Sequence, residues 1–325
     1  MTNKERLETV LNGGIPDIPP HFEIDFHLWK ELFGLDLAAV GARQWPSERA
    51  RQEAVADAYL ELQTRLVDDL GYASTFFHYQ LPADLGITKI KNALGSKALL
   101  RVHDWDGTFW MPDGNSIMDF VVMMYERPEE MHAQARAKCE AAKLRLRRQF
   151  DAGADFVILC YDYGFNKGPF VSPDQFAEFV KPYLTEIVQA VHDMGKKVML
   201  HSDGDIRALL GHLYDTGVDG LQSIDPQGSM DIAAVRAQYP DWLLMGNVHC
   251  AQMQDCVEAQ IRESVRTCMK HGGVGKRYIF STSNCIFPGM PPESYRIMLD
   301  EYRLQCGGIV PDIRFPGSAK SAGMT

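Results

Sequence analysis

The 325-residue chain has no run of about 18 apolar residues, so no membrane-spanning helix is expected. Residues 1–8 are polar and hold no apolar core of a secretory signal. The seven cysteines are odd in number, begin only at Cys139 and form no CxxC pair, which argues against a disulfide framework. These absences point to the cytoplasm. A basic surplus is also lacking: 33 Lys and Arg stand against 43 Asp and Glu, a net charge of −10. That balance opposes nucleic-acid binding and gives no long-range attraction to a polyanion. A glycine-rich phosphate turn after the first expected strand is missing too, which counts against a doubly wound nucleotide-binding sheet.

What is present is an ordinary globular composition, 46% hydrophobic and 23% charged, with ample length for a large core. From residue 154 onward, short apolar runs alternate with helical patterns. Strands are expected at 155–161, 197–201, 220–224, 242–246 and 277–281. Helices should follow at 173–194, 205–216, 230–238, 254–271 and 292–304. Such alternation signals parallel strands joined by crossover helices. Further helices are expected at 2–11, 47–70 and 128–150, and extended runs ending at Ile24 and His78 supply two more strands. The eighth strand is placed between Thr108 and Val122, and residues 87–111, broken by turn residues such as Asn92 and Gly95, read as a β-ribbon insertion. The expected fold is α/β: a distorted (β/α)8 TIM barrel with an N-terminal helical and β-ribbon elaboration. It forms one domain over residues 1–308 with a flexible tail over 309–325.

In such a barrel the C-terminal strand ends converge on the active-site face. The strand ends here carry Glu23, Asp25 and His27, His78, Asp162 and Tyr163, His201 and Asp203, Gln222 and Asp225, Asn247, His249 and Cys250, and Ser283 to Cys285. The strand interiors are apolar. The segment Lys197-Val-Met-Leu-His201-Ser-Asp203-Gly-Asp205 is the most informative, because a histidine and an acid two residues apart suit a metal or an acid/base pair. The competing reading makes Asp203 or Asp205 a helix cap and His201 a packing residue. Zinc is held by three or four N, S and O ligands, and His201, Cys285 and an oxygen of Asp203 or Glu23 make a catalytic-type set. Asp162 suits a general base, a metal ligand or a cap of backbone amides, and Lys167 an anion holder. Glu23, His27, His78, Lys167, Gln222 and Asn247 are the expected substrate contacts. Cys139, Cys256 and Cys268 fall at core-like helical positions and receive no role.

Several stretches resemble the uroporphyrinogen decarboxylase superfamily. They are Lys4-Glu-Arg6 to Pro16-Asp-Ile-Pro19, the run Phe165 to Pro173 with Phe179-Val-Lys-Pro-Tyr183, His201-Ser-Asp-Gly-Asp205, Gly217-Val-Asp-Gly-Leu221 and Pro291-Pro-Glu-Ser-Tyr295. The resemblance implies a distorted (β/α)8 barrel and a homodimer. It spans decarboxylases of haem synthesis and zinc-dependent, corrinoid-linked methyltransferases. The decarboxylases carry an N-terminal Arg-Gln-Ala-Gly-Arg run that holds substrate carboxylates, and a Gly-His-Gly near the last strand. Here the first region reads Phe22-Glu-Ile-Asp-Phe-His-Leu-Trp29, with no arginine, and the last reads Ser283-Asn284-Cys285. A substrate with eight carboxylates needs cationic partners to offset its desolvation. The methyltransferases bind zinc through His-X-Cys and a distant cysteine. His201 and Cys285 match that pattern, while Asp203 stands at the first cysteine and makes the set harder and less thiophilic.

The expectation is therefore a metal-dependent methyltransferase, moving a methyl group between a small methylated substrate and a corrinoid protein or another acceptor. Zinc would be held by His201, Cys285, Asp203 and Glu23, with Asp162, Tyr163 and Asp203 in catalytic roles and the corrinoid carried by a separate protein. A metal-independent decarboxylase is the alternative, and a barrel that only binds a ligand or partner is a third reading.

Overall fold

Among the described residues of the computed structural model (1–77, 80–309 and 313–315), seven strands form one curled, wholly parallel sheet. They are β1 (Ser74–Phe76), β2 (Leu99–Asp104), β3 (Phe156–Cys160), β6 (Lys197–Ser202), β7 (Gly220–Ser223), β8 (Leu243–Val248) and β9 (Tyr278–Thr282), neighbours in chain order. Two-residue strands β4 (Gly164–Phe165) and β5 (Gly168–Pro169) make a separate antiparallel pair in the loop after β3. β3, β8 and β9 are buried along nearly their whole length and on both faces, as parallel sheets under helices require.

The two sheet edges are brought together by residues 20–27. The Ala73 amide donates to the His21 carbonyl (2.8 Å) on the β1 side, and the Phe280 amide donates to the Pro20 carbonyl (2.9 Å) on the β9 side. Further along, the Ile286 amide donates to Asp25 O (3.0 Å) and the His27 amide to Ile286 O (2.9 Å). This extended segment makes only isolated bridges, to Phe280 and Ile286, yet it stands where the eighth strand of a closed barrel would lie. The architecture is a distorted (β/α)8 barrel.

The C-terminal units follow the expected alternation, with two breaks inside helices. The helix after β3 divides into Pro173–Phe179 and Lys181–Asp193, because Pro182 has no amide to continue the ladder. The helix after β8 divides into Cys250–Asp255 and Glu258–His271 at Cys256, whose φ of +54° is left-handed.

The N-terminal half departs from expectation. Residues 87–111 do not form a ribbon: Asp84–Leu94 is helical, and Leu99–Asp104 enters the main sheet between β1 and β3. Ile87, Ile90 and Leu94 are buried at helical spacing, a period that the turn-prone Asn92 and Gly95 obscure. The strand placed between Thr108 and Val122 is likewise absent there. Asp113 accepts from the Asn115 (2.8 Å) and Ser116 (3.1 Å) amides, and the helix Ile117–Glu126 follows. Within the tail, Ile313 and Phe315 pack on the core and the Arg314 amide donates to Asp69 O (2.8 Å); residues 310–312 and 316–325 lie outside the described residues. No helix among the described residues is long and apolar enough to cross a membrane.

Candidate active site

His201 sits at the end of β6, in register with Cys160 of β3 on one side and Gln222 of β7 on the other. Its ring is nearly buried, at 7% exposed. The Gln222 amide NH2 donates to the carbonyls of Thr282 (3.4 Å) and Ser283 (3.3 Å), which fixes its oxygen toward His201. That oxygen is bonded to His201 Nδ1 and can only accept, so Nδ1 carries the proton and a neutral ring leaves Nε2 bare. Nε2 looks onto two carboxylates, Asp162 Oδ1 at 3.5 Å and Asp203 Oδ1 at 3.8 Å.

The acids are held as firmly as the ring. Asp162 Oδ1 accepts the Asp203 amide (3.0 Å), Ser223 Oγ donates to Asp203 Oδ1 (2.7 Å), and the Asn284 side-chain amide donates to Asp203 Oδ2. Asp205 does the capping work in this loop, accepting the Arg207 amide (3.2 Å) and Nε (2.8 Å). Asp203 is therefore free to serve the site. Gly204 between them has φ +79°, and a Cβ there would lie 2.3 Å from the Gly164 carbonyl oxygen. Only glycine lets the β6 loop press against the β3 loop and bring Asp203 beside Asp162.

One donor atom each from Asp162, His201 and Asp203 lies within 4.8 Å of the other two. Burial disfavours the His201 cation, but Asp203 and Asp162 outweigh it and hold its pKa above the ordinary value. Asp203 is pushed up, by burial first, with His201 opposing and Asp162 adding repulsion. A cation placed among the three would relieve both acids. The set is one imidazole nitrogen with carboxylate oxygens, a donor chemistry that fits a divalent metal such as the zinc implied by the family resemblance.

Two residues of the expected metal set stand apart from that group. Cys285 opens onto the same cavity as His201, but it is not among the three mutually close donors, and burial raises its thiol far above the thiolate range. Glu23 is fully buried and does not line the cavity; its Oε2 accepts the Thr282 amide (2.9 Å) and hydroxyl (2.6 Å). Its Oε1 has no hydrogen-bond partner, and burial lifts its pKa to about 7 against the pull of Thr282 and Arg101.

The cavity measures about 190 Å³. Its walls carry the acids Asp25 and Asp162, the indoles of Trp105 and Trp110, and the thiols of Cys160 and Cys285; among the described residues no lysine or arginine lines it. Arg101 is close in the fold but spent: it donates to the carbonyls of Glu23 (2.6 Å) and Ile24 (2.9 Å) and lies over the rings of Phe22 and Phe76. Asp162 also borders an open groove of about 540 Å³ that includes Asp203, Phe165 and the exposed Lys167.

Other expected contacts fall elsewhere. Tyr163 is fully buried, with its hydroxyl on Thr108 Oγ1 (2.7 Å) and its ring stacked on Phe170, and it does not line the cavity. Gln222 is fully buried, does not line the cavity and engages His201. Asn247 donates to Ile224 O (2.9 Å) and borders a different cleft, of about 500 Å³, together with His249. His27 backs the cavity through Asp25, Nε2 to Oδ2 at 3.3 Å. His78 lies outside the described residues. Sequence reasoning missed His103, Trp105, Trp110 and Cys160. His103 lies in β2, and Trp105 and Trp110 follow it, in residues read as a ribbon; Cys160 had a signal, as the strand-end neighbour of Asp162.

The profile of the Uroporphyrinogen decarboxylase (URO-D) family matches residues 110–304, and the chain belongs to that family. Curated relatives include the uroporphyrinogen decarboxylase of Thioalkalivibrio sulfidiphilus, 27% identical over 206 residues, covering 61% of this chain and 56% of that protein. The uroporphyrinogen decarboxylase of Nitrosococcus oceani is 27% identical over 208 residues, covering 60% of this chain and 55% of that protein. The chain thus spans little more than half the length of these relatives. A solved methyltransferase from Methanosarcina mazei shares the fold, with TM-score 0.72 and 17% identity over 94% of this chain and 99% of that one.

Proposed function

We propose that this chain is a metal-dependent methyltransferase that takes a methyl group from a small substrate and passes it to a corrinoid protein or another nucleophilic acceptor. The observation that carries the reading is His201 Nε2, aimed at Asp162 and Asp203 at the wall of a small cavity that no lysine or arginine lines among the described residues. A divalent ion held by Asp162, His201 and Asp203 would act as a Lewis acid toward the substrate heteroatom.

The protein's own residues supply the rest. Gln222 keeps the His201 proton on Nδ1, and Ser223 and Asn284 hold Asp203 in place. Asp162, at the junction of cavity and groove, orients the heteroatom that keeps the bonding pair when methyl departs. Walls of indole and thiol exclude water from the transferred carbon. A cavity of about 190 Å³ falls below the roughly 300–1,000 Å³ of sites for drug-sized ligands, so the substrate is small. The same reading places the enzyme in the cytoplasm as a homodimer.

A second reading, decarboxylation, is favoured by the names of the curated relatives. The acidic lining opposes it for uroporphyrinogen, whose eight carboxylates would meet Asp25 and Asp162 with no lysine or arginine among the described residues of the cavity wall.

Elemental analysis of protein purified without chelator, paired with a corrinoid methylation assay, tests the choice. One metal per chain, lost in Asp203→Asn and His201→Ala, supports the proposal. Metal-free protein that turns uroporphyrinogen into coproporphyrinogen would overturn it.

A further inference from the structure

Among the described residues, four that are not glycine have a left-handed backbone: Ser223 (φ +89°), Ile224 (+50°), Ser229 (+59°) and Cys256 (+54°). Three of them lie in the loop after β7, and Cys256 ends the helix Cys250–Asp255 after β8. Side chains resist this conformation, above all the β-branched Ile224, so the packing around each residue must hold it. Such backbone gathers at ligand clamps and switches. Here the two segments that carry it wall one cleft of about 500 Å³. The cleft shares no lining residue with the cavity or the groove around His201.

One wall is apolar and holds Pro226, Met230 and Ile232, from the β7 loop and the start of the helix Ile232–Gln238. The facing wall is polar and comes from His249, Gln252 and the helix Glu258–His271. Two atoms of that wall, His249 Nδ1 and Gln252 Oε1, are buried with no hydrogen-bond partner. Buried polar groups are nearly always paired, so this wall is short of two partners. An amide oxygen can only accept, whereas Nδ1 donates or accepts according to its tautomer, and a hydroxyl answers either need. Asp231, whose Oδ1 accepts the Ala233 amide (2.8 Å), and Glu263 add carboxylates that accept from hydroxyls as well. Among the described residues no lysine or arginine lines the cleft, so a phosphate or carboxylate has no counter-charge there. Arg266 approaches Glu263 only at 3.8 Å and is committed to Glu301 at 2.9 Å.

We propose that this cleft is a second ligand site, for an uncharged polyhydroxy ring such as a free sugar or the sugar of a nucleoside, and that its occupant acts on Asp203 through the β7 loop. The volume falls within the roughly 300–1,000 Å³ of small-molecule sites. The apolar wall receives the C–H face of the ring and the polar wall its hydroxyls. The path to Asp203 is short. Asn247, in the cleft wall, donates to the Ile224 carbonyl (2.9 Å), and the adjacent Ser223 hydroxyl donates to Asp203 Oδ1 (2.7 Å). Asp225 Oδ2 accepts the Gly204 amide (3.1 Å), and a Cβ on Gly228 would stand 2.3 Å from the Gly204 carbonyl carbon. A ligand seated against Pro226 and Met230 therefore bears on the loop that holds Asp203 in place.

Ribose, glucose, myo-inositol and adenosine are titrated by calorimetry into the full chain without metal, with putrescine as the cationic competitor. At least one of the uncharged compounds is expected to saturate a single site per chain; adenosine above ribose assigns a nucleoside, and the reverse a free sugar. Phosphorylation of the bound compound should weaken it at least about tenfold, because the cleft offers carboxylates and no cation. Asp231→Asn and Gln252→Leu should each weaken it at least about fivefold, the scale of one lost hydrogen bond. Gln252→Leu should also hold or raise the Tm of the unliganded protein, since it deletes an unpaired buried acceptor. Saturating ligand should slow hydrogen exchange in peptides covering residues 223–230 and 203–206, the second of which it does not touch. Binding of none of the uncharged compounds, equal or tighter binding of putrescine or of the phosphorylated form, indifference to both variants, or unchanged exchange at 203–206 would overturn the proposal. None of these readouts involves a metal or methyl transfer, so this site and the methyltransferase reading stand or fall separately.

Discussion

Gln222 and His201 are joined through Oε1 and Nδ1 across neighbouring strands, and this bond decides which ring nitrogen the cavity meets. Gln222 can play this part because its own amide nitrogen is committed to the carbonyls of Thr282 and Ser283. Replacing Gln222 by Leu removes the acceptor and leaves the ring free to place its proton on Nε2, beside Asp162 and Asp203. Nitrogen-15 NMR of the imidazole is expected to show the Nδ1–H form in the wild type and a shift toward Nε2–H in Gln222→Leu. Affinity for a divalent ion should fall about 10–100-fold, the usual effect of losing a residue that orients a ligand. An unchanged tautomer together with unchanged affinity would refute this role.

Glu23 gives a pH signature. Its folded pKa of about 7 lies above the ordinary 4.5 because the side chain is buried. Between those values the folded protein keeps a proton that the unfolded chain has released, so Glu23 makes stability fall as pH rises through that window. The full effect is roughly 3 kcal/mol. His21, lowered to about 4 by burial, works in the opposite direction from the ordinary 6.5 downward, so the wild-type curve alone mixes the two. The Tm difference between wild type and Glu23→Gln isolates the acid: it should move against the wild type from pH 4.5 to 7 and level off above. A difference that is flat across the window would contradict the buried, protonated state.

Arg101→Leu is expected to destabilise the protein by about 3 kcal/mol or more, read from urea unfolding. The substitution strips hydrogen bonds from the carbonyls of Glu23 and Ile24 and removes the cation lying over Phe22 and Phe76. Arg101→Lys should not restore it, because a point-like ammonium cannot span two carbonyls and two rings.

Tyr163→Phe separates a buried hydroxyl from a catalytic one. The variant loses the bond to Thr108 and about 1 kcal/mol of stability, while turnover should stay within about twofold. A loss of two orders of magnitude would return Tyr163 to the chemistry.

The sequence made the C-terminal half of the barrel legible for a physical reason. There, apolar runs such as Val157-Ile-Leu159 and Val198-Met-Leu200 are buried on both faces and end in polar residues, so strand and site announce themselves together. That is why His201, Asp162 and Asp203, which the structure brings together, stand out in the sequence. The strand Leu99–Asp104 was hidden because its end holds Arg101, His103 and Asp104, charges whose burial is made possible by partners distant in sequence. Missing that strand also hid Trp105 and Trp110. Glu23 was misread for the complementary reason: an acid at a strand end looks functional until its partner, Thr282, is seen. Tyr163 sits one residue beyond Asp162, and only the packing of Thr108 and Phe170 shows that it turns inward.

The closing segment at residues 20–27 gives the barrel a seam. A few bridges, not a continuous ladder, tie Pro20 and His21 to the flanking strands, and Asp25 hangs from that seam with its carboxylate in the cavity. Local opening starts where hydrogen bonding is sparsest, so these amides should be early to exchange with solvent. A ligand filling the cavity beside Asp25 would act as a stitch across the gap, and occupancy of the pocket would be legible in slowed exchange at Ala73 and Ile286, neither of which it touches.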